Sequence, residues 1–290
     1  MRSAVTATVT ASVVLAGGLF TGQAYAAAPP PVPTITAPGG FVMNNATART
    51  LYSKTADTRR STGSTTKIMT AQVVLAQKNL NLDAKVTVDK SYSDYIVAKN
   101  ASSARLIVGD KVTVRQLLYG LMLPSGCDAA YALADKFGTG TTRAARVKSF
   151  IGKMNTEAKR LGMTNTKFDS FDGISNGSNY STPRDLTKLA SSAMKNSTFR
   201  SVVATKSTKQ KVTTKTGGYR YMSWSNTNKL LSTYSGAIGL KTGSGPQAKY
   251  CLVFAATRGG KTVVGTVLAS SSETNRAADV KKLLDYGFKK

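Results

Sequence analysis

The chain has 290 residues, with 40 Lys and Arg against 14 Asp and Glu, and it contains no histidine. The length allows one large domain or two small ones with a sizeable core, and 41% hydrophobic with 19% charged residues excludes a disordered chain. Without imidazole, His-dependent triads and His-ligated zinc hydrolases are also excluded, so a serine nucleophile would need lysine, a carboxylate or another serine as its base.

In chain order, residues 1–28 read as a secretory signal. One early Arg is followed by a short apolar stretch from Val13 to Phe20 and then by Ala24-Tyr25-Ala26. A cut after Ala26 or after Ala28 fits the small-x-small rule. The apolar stretch is short and broken by glycine, so it is not read as a bilayer span. Removal of Arg2 lowers the formal charge from +26 to +25. APPPVPTITAPGG reads as a flexible Pro-rich tether.

FVMNN and RTLYSK flank a turn and predict a hairpin. From Ser64 onward Ile68, Met69, Val73, Val74 and Leu75 recur at helical spacing. A helix over 112–123 is broken at Pro124-Ser125-Gly126. Another runs from about Thr142 to Leu161 and stops at Gly162. Thr182 and Pro183 open the next helix. KVTTKTGGYR reads as a loop. AKYCLVFAATRGGKTVVGTVLAS reads as a hairpin joined by Arg258-Gly259-Gly260. An amphipathic helix from about Glu273 to Phe288 follows, with Ala277, Val280, Leu283 and Leu284 inward. The layout is one domain over 29–290. Its α/β part comes from both ends, about 29–63 and 212–290, and a helical region, about 64–211, is inserted between them.

Three short patterns carry chemistry. In 64-STTK-67 the serine and lysine share a helix face, so hydroxyl and amine lie side by side. The second is 125-SGC-127, a polar turn between helices. The third is 241-KTG-243, whose lysine can hold an anion beside a strand and whose glycine would let a substrate backbone approach. A second Lys-Thr-Gly stands at 215–217. Each pattern is common when alone.

Together and in this order, they resemble the S-x-x-K, S-x-N and K-T-G set of the penicillin-recognising serine enzymes. SGCDAAYALA, KMNTEAKRLGMTNTKF, DGISNGSNYSTPRDLTKLA and GLKTGSGPQAKYCLVFAATRGGKTVVGTVL are similar to the low-molecular-mass D-alanyl-D-alanine peptidases. Within them, the small secreted actinomycete transpeptidases are the nearest pattern. The resemblance implies their fold: α/β plus all-α, with an antiparallel sheet flanked by helices and a helical insertion. It selects Lys241-Thr242-Gly243 as the motif, because GLKTG lies next to the long strand.

The resemblance also implies roles. Ser64 attacks the penultimate D-Ala carbonyl of a peptidoglycan stem peptide, Lys67 is the base, and Ser125 relays a proton. Lys241 lowers the affinity of Lys67 for its proton, as a second cation nearby does. The backbone N–H groups of Ser64 and Ser244 hold the oxyanion. Gly243 belongs to the motif, and Thr242 and Arg276 receive the terminal carboxylate; a surface arginine is the alternative for Arg276. Neither cofactor nor metal is called for. β-Lactams are the expected covalent inhibitors. No E-x-x-L-N segment lies between the second and third motifs, so efficient penicillin hydrolysis is not expected.

Cys127 stands where the pattern has Asn, and a thiol replaces an amide of two donors and one acceptor. Beside Lys67 it is expected to be acidic and reactive, and to bear on substrate contacts and acceptor choice. Cys127 and Cys251 are read as two free thiols. The basic residues are scattered, which points to a solvated surface or weak adhesion to anionic lipid or wall polymers outside the cell rather than to nucleic acid. Transpeptidation is the expected outcome, with hydrolysis, a non-turnover penicillin sensor or wall-binding module, and a thiol peptidase as alternatives.

Overall fold

The computed structural model describes residues 29–174 and 177–290, preceded by residues 1, 4 and 6–8. The rest of the signal segment, with both cut points, lies outside the described residues. In chain order the first elements are β1 (Gly39–Asn44) and β2 (Thr50–Lys54), then a 3-10 turn (Gly63–Thr66) running into α1 (Lys67–Leu75). Next come β3 (Lys85–Thr87), α2 (Lys90–Lys99), β4 (Lys111–Thr113), α3 (Val114–Met122), α4 (Cys127–Phe137) and α5 (Arg143–Arg160). After these lie α6 (Pro183–Ala193), α7 (Ser197–Ala204), β5 (Ser207–Thr213), β6 (Tyr219–Ser225) and α8 (Leu230–Thr233). The last elements are β7 (Ala237–Gly245), β8 (Lys249–Arg258), β9 (Lys261–Ser270) and α9 (Glu273–Lys289).

Both chain ends build one antiparallel sheet in the order β2-β1-β9-β8-β7. β8 and β9 are apolar without alternation because both faces are covered. Leu252, Phe254 and Ala256 pack with Val280, Leu283 and Leu284 of α9. Cys251, Val253 and Ala255 point the other way, into the core shared with α1, α3, α4 and α6. Each Val, Leu or Phe among them contributes about 1.5–3 kcal/mol on burial, and the alanines less. The sheet is thus a wall with α9 behind it and the inserted helices in front.

The local signals for the helices hold. Thr142 Oγ1 accepts from Ala145 N at 3.1 Å to start α5, and Thr182 Oγ1 accepts from Asp185 N at 3.1 Å to start α6, with Pro183 in its first turn. The helix expected from residue 112 begins two residues later, because Thr113 caps α3 through a reciprocal pair with Gln116.

Two expectations need correction. The end of the Pro-rich segment is no tether: Ile35 and Ala37 are buried, and the Asp279 carboxylate of α9 accepts from Thr36 N at 2.9 Å and Ala37 N at 2.8 Å. The stretch read as a loop is the end and turn of the β5–β6 hairpin. It pairs through β4 with β3 in a second sheet of order β3-β4-β5-β6. The main sheet therefore resumes at β7 rather than near residue 212.

Candidate active site

Ser64 and Lys67 stand across the junction of the 3-10 turn and α1. The turn is fixed by threonines: Thr65 Oγ1 donates to Thr62 O at 2.7 Å, the Thr62 and Thr66 hydroxyls are 2.8 Å apart, and Asn179 Nδ2 donates to Thr62 Oγ1 at 2.7 Å. Lys67 is fully buried, and its Nζ donates to Ser64 Oγ at 2.9 Å, Cys127 Sγ at 3.2 Å and the Asp172 carbonyl at 3.0 Å. An ammonium has three N–H donors, and here each has a partner. The Asp172 carbonyl can only accept. Once the ammonium gives up one proton, the amine can keep its N–H bonds to Asp172 and Cys127 and turn its lone pair to Ser64.

The Pro-Ser-Gly-Cys turn forms the opposite wall. Ser125 has φ of +66°. That left-handed conformation costs a serine about 1 kcal/mol or more and is held by its surroundings. Ser102 Oγ donates to its carbonyl at 2.6 Å, and Gly126 N donates to Gly120 O at 2.9 Å. Asp128, in the first turn of α4, accepts from Ala104 N at 2.7 Å and Ser103 Oγ at 2.8 Å, locking the neighbouring loop. Cys127 and Cys251 are both free and buried. The expectation of an acidic Cys127 is overturned: burial pushes its thiol up, and the nearby Lys67 charge only partly offsets this.

β7 supplies the third wall. Lys241 is fully buried, and its Nζ donates to the Thr242 carbonyl at 3.0 Å. Burial, and then the charge of Lys67, hold its ammonium well below the usual lysine range. The Thr242 hydroxyl lies 2.6 Å from that of Thr227. Gly243 has a different reason from the one expected. A Cβ there would sit 2.7 Å from the Thr62 carbonyl, so the glycine makes room for the 3-10 turn of the chain itself. The other Lys-Thr-Gly, 215–217, lies at the tip of the β5–β6 hairpin and does not line the cleft.

Between these walls lies a cleft of about 810 Å³, lined among others by Ser64, Ser125, Cys127, Thr242, Ser244 and Arg276. Its carboxylate, among the described lining residues, is Glu273. Arg276 is buried rather than on the surface. Its Nη2 donates to Glu273 Oε1 at 3.2 Å and its Nη1 to Cys251 O at 3.4 Å, while Nε is buried without a partner. Burial lowers its proton affinity despite Glu273. A guanidinium lining a cleft suits a carboxylate.

Sequence reasoning missed Tyr95 and Asp172. The Tyr95 hydroxyl donates to Asp172 Oδ2 at 2.9 Å, and Asp172 Oδ1 accepts from Ile174 N at 2.9 Å. The carboxylate thus shapes the turn whose carbonyl holds Lys67. Gly173 follows at φ of +95°, and a Cβ there would lie 1.9 Å from the Gly63 carbonyl. Asp-Gly signals a turn in any sequence, but nothing in it says which lysine the turn will meet.

A serine beside a buried lysine, in a helical region laid against an antiparallel sheet, defines a serine acyl-transfer site that uses lysine as its base. A family model described as D-alanyl-D-alanine carboxypeptidase, Peptidase S11, matches residues 24–272. The chain belongs to this family of serine DD-peptidases, which act on peptidoglycan peptides and are sensitive to β-lactams. A D-alanyl-D-alanine carboxypeptidase of Streptomyces sp. (strain K15) is 70% identical over 288 residues, 99% of this chain and 98% of its own. The crystal structure of the Streptomyces K15 DD-transpeptidase matches with a TM-score of 0.87 at 77% identity, covering 88% of this chain and 98% of that one. The D-alanyl-D-alanine carboxypeptidase DacD of Francisella tularensis matches with a TM-score of 0.79 at 28% identity, covering 91% and 73%.

Proposed function

We propose that the protein is an exported DD-transpeptidase that cross-links stem peptides through an acyl-enzyme on Ser64. The observation that carries this reading is the contact of Lys67 Nζ with Ser64 Oγ at 2.9 Å, beside a second buried lysine, Lys241. Lys67 in its amine form takes the Ser64 proton as Oγ bonds to the penultimate D-Ala carbonyl carbon. The C–N bond to the last D-Ala breaks, and Ser125 passes a proton to the leaving amine. Backbone N–H groups of Ser64 and Ser244 receive the oxyanion, each worth roughly 3 kcal/mol. Thr242 and Arg276 bind the terminal carboxylate, and Cys127 borders the substrate and fixes the Lys67 amine. An acceptor amine then takes the acyl group and frees Ser64.

Two points favour transfer to an amine over hydrolysis. A 77%-identical structure is that of a DD-transpeptidase. Glu273 is engaged by Arg276 and Lys229, and is thus not set to activate a water at Ser64. The same points give a β-lactam adduct on Ser64 that hydrolyses slowly. Export follows from the leader at 1–28, and the high positive charge suits adhesion to an anionic membrane or wall polymer.

The test is incubation with a D-Ala-D-Ala peptide, with and without an amine acceptor, followed by identification of products. A cross-linked product that forms only with acceptor is expected, and hydrolysis alone under both conditions would reject transpeptidation. Ser64→Ala should abolish covalent penicillin labelling in a protein with an unchanged thermal melt. Labelling that persists would remove Ser64 from the role.

A further inference from the structure

The outer face of the small sheet carries a feature that the cleft does not use. Strand alternation sends Val86, Val112, Val212, Met222 and Trp224 into the core. The same alternation turns Lys85, Lys111, Lys209, Lys211, Tyr219 and Tyr221 to solvent. The registers place these side chains together, with Lys111 opposite Thr213, Thr213 opposite Tyr219, and Lys211 opposite Tyr221. Lys211 Nζ lies 4.0 Å from the Tyr219 ring centroid and Lys209 Nζ 4.6 Å from that of Tyr221. The two rings meet edge to face at 5.8 Å. Lys85 Nζ donates to Thr213 Oγ1 at 3.3 Å.

No carboxylate among the described residues neutralises these four lysines. Asp83, just before β3, pairs with Arg115, and Asp110, just before β4, is fully buried against Arg220. Tyr219 and Tyr221 are 61% and 54% exposed. Ile107 and Val108, also exposed, lie on the loop that enters β4, and Gly109 of that loop abuts Lys215 at the hairpin tip.

We propose that this face docks on a bilayer containing anionic phospholipid, with the lysines among the headgroup phosphates and the tyrosine rings at headgroup depth. Lysines alone would suit any polyanion. A sheet face that adds two amphipathic rings and an exposed Ile-Val pair on the adjoining loop matches an interface with an apolar layer beneath it, which a hydrated wall polymer lacks. This inference rests on the export and adhesion reading above and assigns that adhesion to a surface.

The test is co-sedimentation of the purified protein with vesicles. Phosphatidylglycerol mixed with phosphatidylcholine should pellet the protein, and phosphatidylcholine alone should not. Each lysine near an anionic surface is worth about fivefold in partition. The variant Lys85→Gln, Lys111→Gln, Lys209→Gln, Lys211→Gln should therefore lose at least about 100-fold. A control with the same charge change on scattered exposed lysines (Lys136→Gln, Lys148→Gln, Lys159→Gln, Lys195→Gln) should lose far less. Tyr219→Ser with Tyr221→Ser gives an independent variant, expected to weaken binding about tenfold at unchanged charge. Penicillin labelling at the parent rate checks the fold of each variant. Equal losses in patch and control variants overturn the surface and leave general adhesion standing. A parent protein that ignores anionic vesicles overturns the membrane reading itself. Capture by a soluble polyphosphate but not by vesicles gives the face to a wall polymer and also overturns the proposal.

Discussion

Replacing Lys241 by methionine separates its effect on the reaction from its effect on folding. Methionine keeps the length of the side chain and removes the amine. Lys241 is buried, and its proton affinity is held well below the usual value of 10.5, first by burial and then by Lys67. The sign follows from linkage. Between the folded-state value and 10.5 the unfolded chain binds a proton that the folded protein does not, so stability rises with pH across that window and falls as pH drops through it. The slope is about 1.4 kcal/mol per pH unit while the folded protein holds Lys241 neutral. The buried thiols Cys127 and Cys251, raised from 9.0, act in the opposite sense at higher pH, so the comparison belongs below that value. As pH rises from about 7 toward about 8.5 the parent should gain stability over the variant, by at most about 1.4 kcal/mol per pH unit, seen as a rising relative Tm. Urea unfolding or thermal melts of both proteins at the two pH values measure it. Lys241→Met should also slow penicillin acylation by about 100-fold or more. Parallel stability profiles for the two proteins would refute the claim that burial lowers the proton affinity of Lys241.

Two further outcomes follow from the same geometry. Tyr95→Phe keeps the ring packed against Tyr131 and Phe171 but removes the hydroxyl that steadies Asp172. It should slow acylation about tenfold by letting the Asp172 carbonyl drift from Lys67, at a stability cost of about 1.5–3 kcal/mol; an unchanged acylation rate in stopped-flow would remove this link from the reaction. Cys127, with a raised thiol pKa and little exposure, should react slowly with iodoacetamide near neutral pH, faster as pH rises past 9, and not at all once penicillin fills the cleft. Rapid alkylation at neutral pH, followed by mass spectrometry, would contradict the dominance of burial.

Strong local signals were legible without coordinates. Gly259-Gly260 between two apolar runs gave the β8–β9 hairpin, and Thr142 and Thr182 gave the starts of α5 and α6. The β5 strand was hidden because its outward positions are lysine and serine and because β4, its partner on one side, has three residues and pairs with it at a single position. Such strands exist through their neighbours rather than through their own pattern. The three motifs were legible as an ordered set, and the structure brings all three to one cleft. What stayed out of reach was burial. Arg276 stays divided between a carboxylate binder and a surface arginine until α9 is laid against β8, and the Cys127 thiol reads as acidic until the water around it is counted out. Asp172 acts through its main-chain carbonyl, which carries no residue signature.

The pairing of β1 with β9 joins residues 39–44 to residues 263–268 at the centre of the sheet. The cleft follows the same plan, with Ser64 near one end of the chain and Arg276 near the other. A nascent chain lacking its last quarter leaves β1 paired with β2 alone, without Lys241 beside Lys67 and without Arg276 in the cleft. The hydroxyl of Ser64 is then an ordinary alcohol. The order of the chain therefore means that the cleft is complete only once the last strands and α9 have joined the elements laid down first.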